Sequence, residues 1–163
     1  MTTLNVLFLC TGNSARSILG EIAASMVDKQ NLIGYSAGSS PTGKVNEYAI
    51  RIAQELNYPI NKLRSKSWDE FSREDAPIMD IVITVCDNAA HEICPIWSGT
   101  PIIMHWGFPD PANISDSNPN KANEFKKIYK ELKNRMDIIS LLPFDTLSKT
   151  KIEKTLSLRC ILS

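Results

Sequence analysis

Apolar residues fall along this chain in two rhythms. Leu4, Val6, Leu7, Phe8 and Leu9 make a nearly continuous apolar run, and Ile81, Val82, Ile83 and Val85 make another. Runs of this length, rich in branched side chains, predict strands buried on both faces. Shorter strands are expected at residues 35–37 and 102–105. The second rhythm is helical. Ile18, Ile22 and Met26, with Val27 beside them, predict a helix over residues 17–29. Ile50, Ala53 and Leu56 predict one over 46–56 with those three side chains inward, and Phe125, Ile128, Leu132, Met136 and Ile139 predict the longest, over 121–139. Strands alternate with helices and nothing repeats. The expected fold class is therefore α/β: a single-domain open parallel sheet of about four strands with helices on both faces.

Composition narrows this picture. A chain of 163 residues with 43% hydrophobic content buries enough surface for one core and not comfortably for two. Residues 1–142 are expected to form the domain, and 143–163 a helical tail. Residues 121–159 carry ten basic and five acidic side chains although the whole chain is neutral, an asymmetry expected of a helix surface. Without interleaved aromatic residues it is not a nucleic-acid signature. No stretch is long and apolar enough to span a membrane, and no apolar leader opens the chain. Strand-end cysteines beside an arginine suit a reducing compartment, so a cytoplasmic location is expected.

The chemistry is concentrated where the first apolar run stops. Cys10-Thr11-Gly12-Asn13-Ser14-Ala15-Arg16-Ser17 reads as strand end, anion-cradling loop and helix start. The strand delivers Cys10 to the sheet edge, five residues turn the chain, and Arg16 can bring its planar guanidinium fork back toward the sulfur. Gly12 leaves room for a tight loop and Asn13 tolerates the left-handed conformation such loops need. Ser17 is placed to donate to the Cys10 sulfur. A ring of backbone and guanidinium donors suits a tetrahedral oxyanion, and its positive field would favour Cys10 as a thiolate nucleophile. The loop residues Thr11, Gly12, Asn13, Ser14, Ala15, Arg16 and Ser17 are thus the expected substrate-binding set. Residues 39–43 are expected as a loop at its rim.

The second apolar run ends at Cys86 as the first ends at Cys10, so both thiols should reach one sheet edge, where open α/β sheets bind ligands. Cys94 follows across the polar stretch 87–92 and could receive a disulfide passed outward. Asp110-Pro111 places a carboxyl that could act as general acid. Cys86, His91, Cys94 and His105 could instead be read as a zinc set, but their uneven spacing fits poorly, and no metal is expected. The final Cys160-Ile161-Leu162-Ser163 matches a prenylation acceptor, a short match that a frayed helical tail would also explain.

The Cys–five residues–Arg-Ser loop resembles that of the low-molecular-weight protein tyrosine phosphatase superfamily. Tyr35-Ser36-Ala37-Gly38 is similar to its second strand and turn, and His105-Trp106-Gly107-Phe108-Pro109-Asp110-Pro111 to the segment carrying its catalytic Asp-Pro. The likeness covers about residues 4–142. Within that superfamily, residues 83–90 and the later Cys94-Pro95 resemble the arsenate reductase branch, which reduces arsenate to arsenite with three cysteines. The resemblance implies nucleophile Cys10, oxyanion ligand Arg16, general acid Asp110, and Cys86 and Cys94 as successive resolving thiols. It also implies no cofactor, and a thioredoxin or a glutaredoxin with glutathione as electron donor. The alternative it leaves is a phosphatase that hydrolyses phosphate monoesters through a Cys10 phosphoenzyme. A silent oxyanion-binding protein is a further rival, which the intact Cys10, Arg16 and Asp110 argue against. Three departures bear on the choice. Ala15 stands where many members carry a second loop cysteine, Ala112-Asn113 stands where phosphatases usually carry tyrosines, and seven residues separate Cys86 from Cys94, a spacing slightly different from some relatives.

Overall fold

Leu4–Cys10 (β1), Leu32–Gly38 (β2), Ile81–Thr84 (β3) and Ile102–His105 (β4) form one parallel sheet in the order β2-β1-β3-β4 in a computed structural model. It describes residues 2–161, with side chains through residue 157. Between and after the strands lie Arg16–Ser25 (α1), Glu47–Glu55 (α2), Asp87–His91 (α3), Lys121–Ser140 (α4) and Lys149–Ile161 (α5).

β1 is central, and its alternation explains its continuous apolar run. Val6, Phe8 and Cys10 face the larger core with Ile18, Ile22, Phe125, Leu132 and Met136, while Leu7 and Leu9 face a smaller one with Ala37, Trp68, Phe71, Val82 and Trp97. From Val6 to Cys10 each strand residue has an apolar layer on its own side; the polar Asn5 is half-buried near the strand's start, where its Nδ2 donates to the Ile78 carbonyl oxygen at 2.9 Å. The larger core is covered by α1, α2 and α4. The opposite face is covered more slightly, by the 3-10 turn Trp68–Phe71 and by Trp97. The return from β2 to β3 places its α-helix, α2, on the larger core and crosses the opposite face only as the 3-10 turn Trp68–Phe71, so the helical layers on the two faces are unequal.

The register sets the site. Cys10 pairs with Gly38 of β2, and Leu9 with Thr84 of β3, which pairs in turn with His105 of β4. Because Val85 N–H still donates to Leu9 carbonyl oxygen (2.9 Å), Cys86 leaves the sheet just beyond the level of Cys10. Chain connections diverge on either side of β1, which opens a crevice at its carboxyl end.

Three expectations change. The helix expected over residues 17–29 ends at Ser25, because β2 begins at Leu32, earlier than expected, and the chain turns between them with Gln30 at φ 51°. Gly34 weakened the strand signal there. A side chain at that position would run into the Glu21 backbone, so the glycine serves close approach of α1 to β2. In α2 the buried residues are Ala49, Ile52 and Ala53, while Ile50 and Leu56 are half-buried. Small alanines set the inner face and the larger residues line its margin. At the other end of the chain α5 is docked, with Ile152 and Leu156 in the larger core. The Cys160 side chain lies outside the described residues. Among the described residues no helix is long and apolar enough to cross a membrane.

Candidate active site

Residues 10–17 form a loop tied down on every side. Backbone N–H groups of Ser40, Thr42 and Asn46 donate to the carbonyl oxygens of Thr11, Gly12 and Ser14 at 3.0, 3.0 and 2.9 Å. Segment 39–43 is therefore bonded to the loop that carries Cys10. Gly38 is required where the two meet, since a Cβ there would collide with the Thr11 carbonyl oxygen. Ala15 precedes α1 with no side-chain cap, leaving the amides at the helix start free of any local acceptor from that position.

One side chain organises the surroundings of Cys10. Asn13 is fully buried with φ 45°, as its type allows. Its Oδ1 accepts the backbone N–H of Lys66 (2.9 Å), which can only donate, so the amide orientation is fixed. Nδ2 then donates to Ser17 Oγ at 2.8 Å, and Ser17, already accepting, turns its own proton to Cys10 Sγ at 2.9 Å. Asn13 N–H donates to the same sulfur at 3.2 Å. Cys10 is 4% exposed, and its sulfur lies within hydrogen-bond reach of the Ser17 hydroxyl and the Asn13 N–H.

The guanidinium of Arg16 reaches across to the Asp-Pro segment. It donates to the Phe108 carbonyl oxygen (2.9 Å) and lies 3.3 Å from Asp110 Oδ2, so the loop and the carboxyl are held together. Asp110 also accepts the Ala112 N–H at 3.0 Å, starting the 3-10 turn Pro111–Asn113.

Cys86 caps α3: its sulfur accepts the Ala89 N–H at 3.4 Å. It is 3% exposed and lies 3.8 Å from Thr11 Oγ1, so the second thiol does meet the loop of the first. Cys94 is brought to the same end of the sheet but faces outward. Burial, and then the charge of Glu92, push its thiol above its ordinary range, and the sulfur donates weakly to the Glu92 carbonyl oxygen (3.8 Å). The two residues flanking Cys94-Pro95 are nearly fully exposed, Ile93 at 96% and Ile96 at 94%. His105 bridges Thr84 Oγ1 (2.8 Å) and Asp87 Oδ1 (3.0 Å) and thereby anchors the start of α3 to β4. Among the described residues no three His, Cys, Asp or Glu side chains are grouped to hold a metal.

Sequence reasoning missed the support behind the loop. Glu21 of α1 is buried, accepts from Ser36 Oγ, and lies 3.8 Å from Lys66 Nζ, itself buried. Burial pushes Glu21 above the usual carboxylate range, opposed by Lys66, and pushes Lys66 below the usual lysine range, opposed by Glu21. Desolvation dominates for both. A signal existed, because Glu21 stands three residues after Ile18 on the apolar arc of its helix. Glu92 was also missed: its Oε1 accepts from Thr11 Oγ1 at 3.2 Å.

The family model for low molecular weight phosphotyrosine protein phosphatase matches residues 5–151. An arsenate reductase from Halalkalibacterium halodurans is 32% identical over 131 residues, covering 80% of this chain and 91% of that protein. Among solved structures, an arsenate reductase in the phosphate binding state superposes with a TM-score of 0.66 at 24% identity, over 84% of this chain and 96% of the other. A thioredoxin-dependent arsenate reductase from Corynebacterium glutamicum shares the fold at 19% identity and a TM-score of 0.56, over 97% of this chain and 64% of the other. A cysteine–arginine loop of this build, a match through most of the chain and a relative this close mean that the chain belongs to the low molecular weight phosphotyrosine protein phosphatase family, within its arsenate reductase branch.

Proposed function

We propose that the protein reduces arsenate to arsenite in the cytoplasm, using Cys10, Cys86 and Cys94 in turn. Loop amides and Arg16 bind the oxyanion, and the Cys10 thiolate attacks arsenic. The arsenic–oxygen bond breaks as Asp110 supplies a proton and the oxygen departs as water. Cys86 then attacks the Cys10 sulfur. The sulfur–arsenic bond breaks, its electron pair stays on arsenic, and arsenite leaves as the Cys10–Cys86 disulfide forms. Cys94 next attacks Cys86, which frees Cys10 and leaves a Cys86–Cys94 disulfide for an external dithiol. This scheme needs no metal or nucleotide.

The observation that carries the reading is the contact of Thr11 with Cys86, which sets a second buried thiol against the loop of the first. Ester hydrolysis has no use for that thiol. With Ala15 in the loop the resolving partner of Cys10 has to come from elsewhere, and Cys86, which meets that loop through Thr11, supplies it in this reading. An external protein dithiol, of the thioredoxin or glutaredoxin kind, is the electron donor in this reading, and Ile93 and Ile96 around Cys94 offer it an apolar landing surface.

Phosphatase activity is the second reading, because Cys10, Arg16 and Asp110 would suffice for phosphate ester hydrolysis. Ala112 and Asn113 give an aromatic ester little to stack on. The deciding experiment incubates reduced protein with arsenate and either the thioredoxin system or glutathione with glutaredoxin, following NADPH, with ester hydrolysis in parallel. Arsenate-dependent NADPH consumption is expected. Ester hydrolysis without it would leave a phosphatase.

A further inference from the structure

Two cations of α4 grip the segment that carries Asp110. Arg135 stacks over the Trp106 and Phe108 rings, 5.0 and 5.1 Å from their centroids. The other cation is Lys121, the first residue of the helix, whose side chain is 6% exposed. A cation at a helix N-terminus faces the positive end of the macrodipole, and burial adds the cost of desolvation. Both effects count against a lysine here, so its contacts have to offset them. Nζ donates to Asp116 Oδ1 at 2.6 Å and to the Ala112 carbonyl oxygen at 3.4 Å, and lies 5.2 Å from the centroid of the Tyr48 ring. The Asp116 side chain is 86% exposed, and an ion pair with so solvated a partner contributes little by itself. Ala112 is the contact with a consequence for the site.

That residue joins Lys121 to the carboxyl. Its carbonyl oxygen accepts from Lys121 Nζ, and its N–H donates to Asp110 Oδ1 at 3.0 Å. Oδ1 is thereby occupied, and Oδ2 is the oxygen turned toward Arg16, 3.3 Å away. The chain from Ser115 to Asn120 is exposed, so beyond the 3-10 turn no buried side chain comes before Lys121 itself. We infer that Lys121 is a positioning residue: by holding Ala112 it sets the Asp110 carboxyl with Oδ2 toward the oxyanion loop. This role rests on the reading of Asp110 as the general acid. Without the lysine the turn shifts on its exposed tether and the carboxyl loses its aim, and proton transfer is sensitive to displacements of an ångström. Oxyanion binding belongs to Arg16 and the loop amides and does not depend on Lys121.

The test is a double-mutant cycle, read as single-turnover arsenite release by the reduced full-length protein at subsaturating arsenate. Asp110→Asn is expected to slow release about a hundredfold. Lys121→Met keeps an apolar stem beside Tyr48 and strands no buried charge. It is expected to slow release about tenfold, with the dissociation constant for inorganic phosphate, measured by calorimetry, unchanged. Asp116→Ala is a surface exchange that loosens Lys121, and about a threefold loss is expected; should Lys121→Met fail to fold, the Asp116→Ala cycle takes its place. Introduced into Asp110→Asn protein, either exchange is expected to change the rate by less than about twofold, because the group being positioned is gone. A purely structural role would slow both backgrounds by the same factor, and that result would overturn the inference. So would a folded Lys121→Met protein as fast as the unaltered one, or a phosphate dissociation constant weakened in step with the rate. An Asp110→Asn protein that releases arsenite at the normal rate would instead remove the reading of Asp110 as the acid.

Discussion

The loop that carries Cys10 and the segment that carries Cys86 and Cys94 stand at the same end of the sheet and are built in opposite ways. Around Cys10 the polar atoms of Asn13 and Ser17 that reach toward the sulfur have fixed partners, and the fixing begins at Lys66, 53 residues away in sequence. The orientation of one buried amide decides the direction of one hydroxyl proton, and that decides what the sulfur receives. Around Cys86 the helix is five residues long, its cap is a sulfur, and the chain beyond it exposes two isoleucines. Binding an oxyanion asks for preorganised donors. Passing a disulfide from a buried sulfur to an exposed one asks for a segment that can rearrange. Each region has the construction that the proposed three-thiol scheme asks of it.

The sharpest way to break this comparison is to remove the thiols singly. Cys10→Ser is expected to abolish both arsenate reduction and ester hydrolysis, a fall of about 10⁴-fold or more, as for loss of other covalent nucleophiles. Cys86→Ser and Cys94→Ser should keep the fold and ester hydrolysis while failing in multiple-turnover reduction, measured as NADPH consumption with arsenate. Full reductase activity in both would show that the second region takes no part.

The next prediction sharpens what holds the first region. Lys66→Met leaves Glu21 buried without its opposing charge, and the loss is expected to be about 3–5 kcal/mol in urea unfolding at pH 8. Burial already pushes Glu21 above its ordinary range, and removing Lys66 pushes it higher. The folded variant then holds a proton that the unfolded chain releases, so its stability falls as pH rises through that interval, and the loss should be smaller at pH 5. A loss independent of pH would mean that Glu21 is not the group left exposed to the penalty.

How much of this was legible in the sequence follows the distance between partners along the chain. Cys10, Arg16 and Ser17 were readable because eight consecutive residues make the loop and an apolar run announces the strand before it. The strand-end position of Cys86 was readable for the same reason. Lys66, Glu21, Ser36 and Glu92 were not, because each acts through a residue distant in sequence, and a polar side chain on an apolar arc does not name its partner. Gly34 hid the first half of β2, since a glycine that serves close packing of a helix looks like a break in a strand.

The smallest expected effect bears on the outward end of the second region. Ile93 and Ile96 contribute almost nothing to either core, so exchanging both for serine should leave thermal stability and ester hydrolysis unchanged. If a protein dithiol lands around Cys94, the two side chains lie where the partner's apolar surface must close to exclude water from the exchanging sulfurs. Truncating such anchors costs roughly 1–2 kcal/mol in an interface of this kind, or about tenfold in KM for the protein donor. A small dithiol such as dithiothreitol needs no such surface and should reduce the Cys86–Cys94 disulfide of both proteins at the same rate. That contrast separates a docking role from damage to the segment. An equal loss with both reductants would place the isoleucines within the mechanics of the segment, whereas no loss with either would mean that the donor approaches Cys94 from another side.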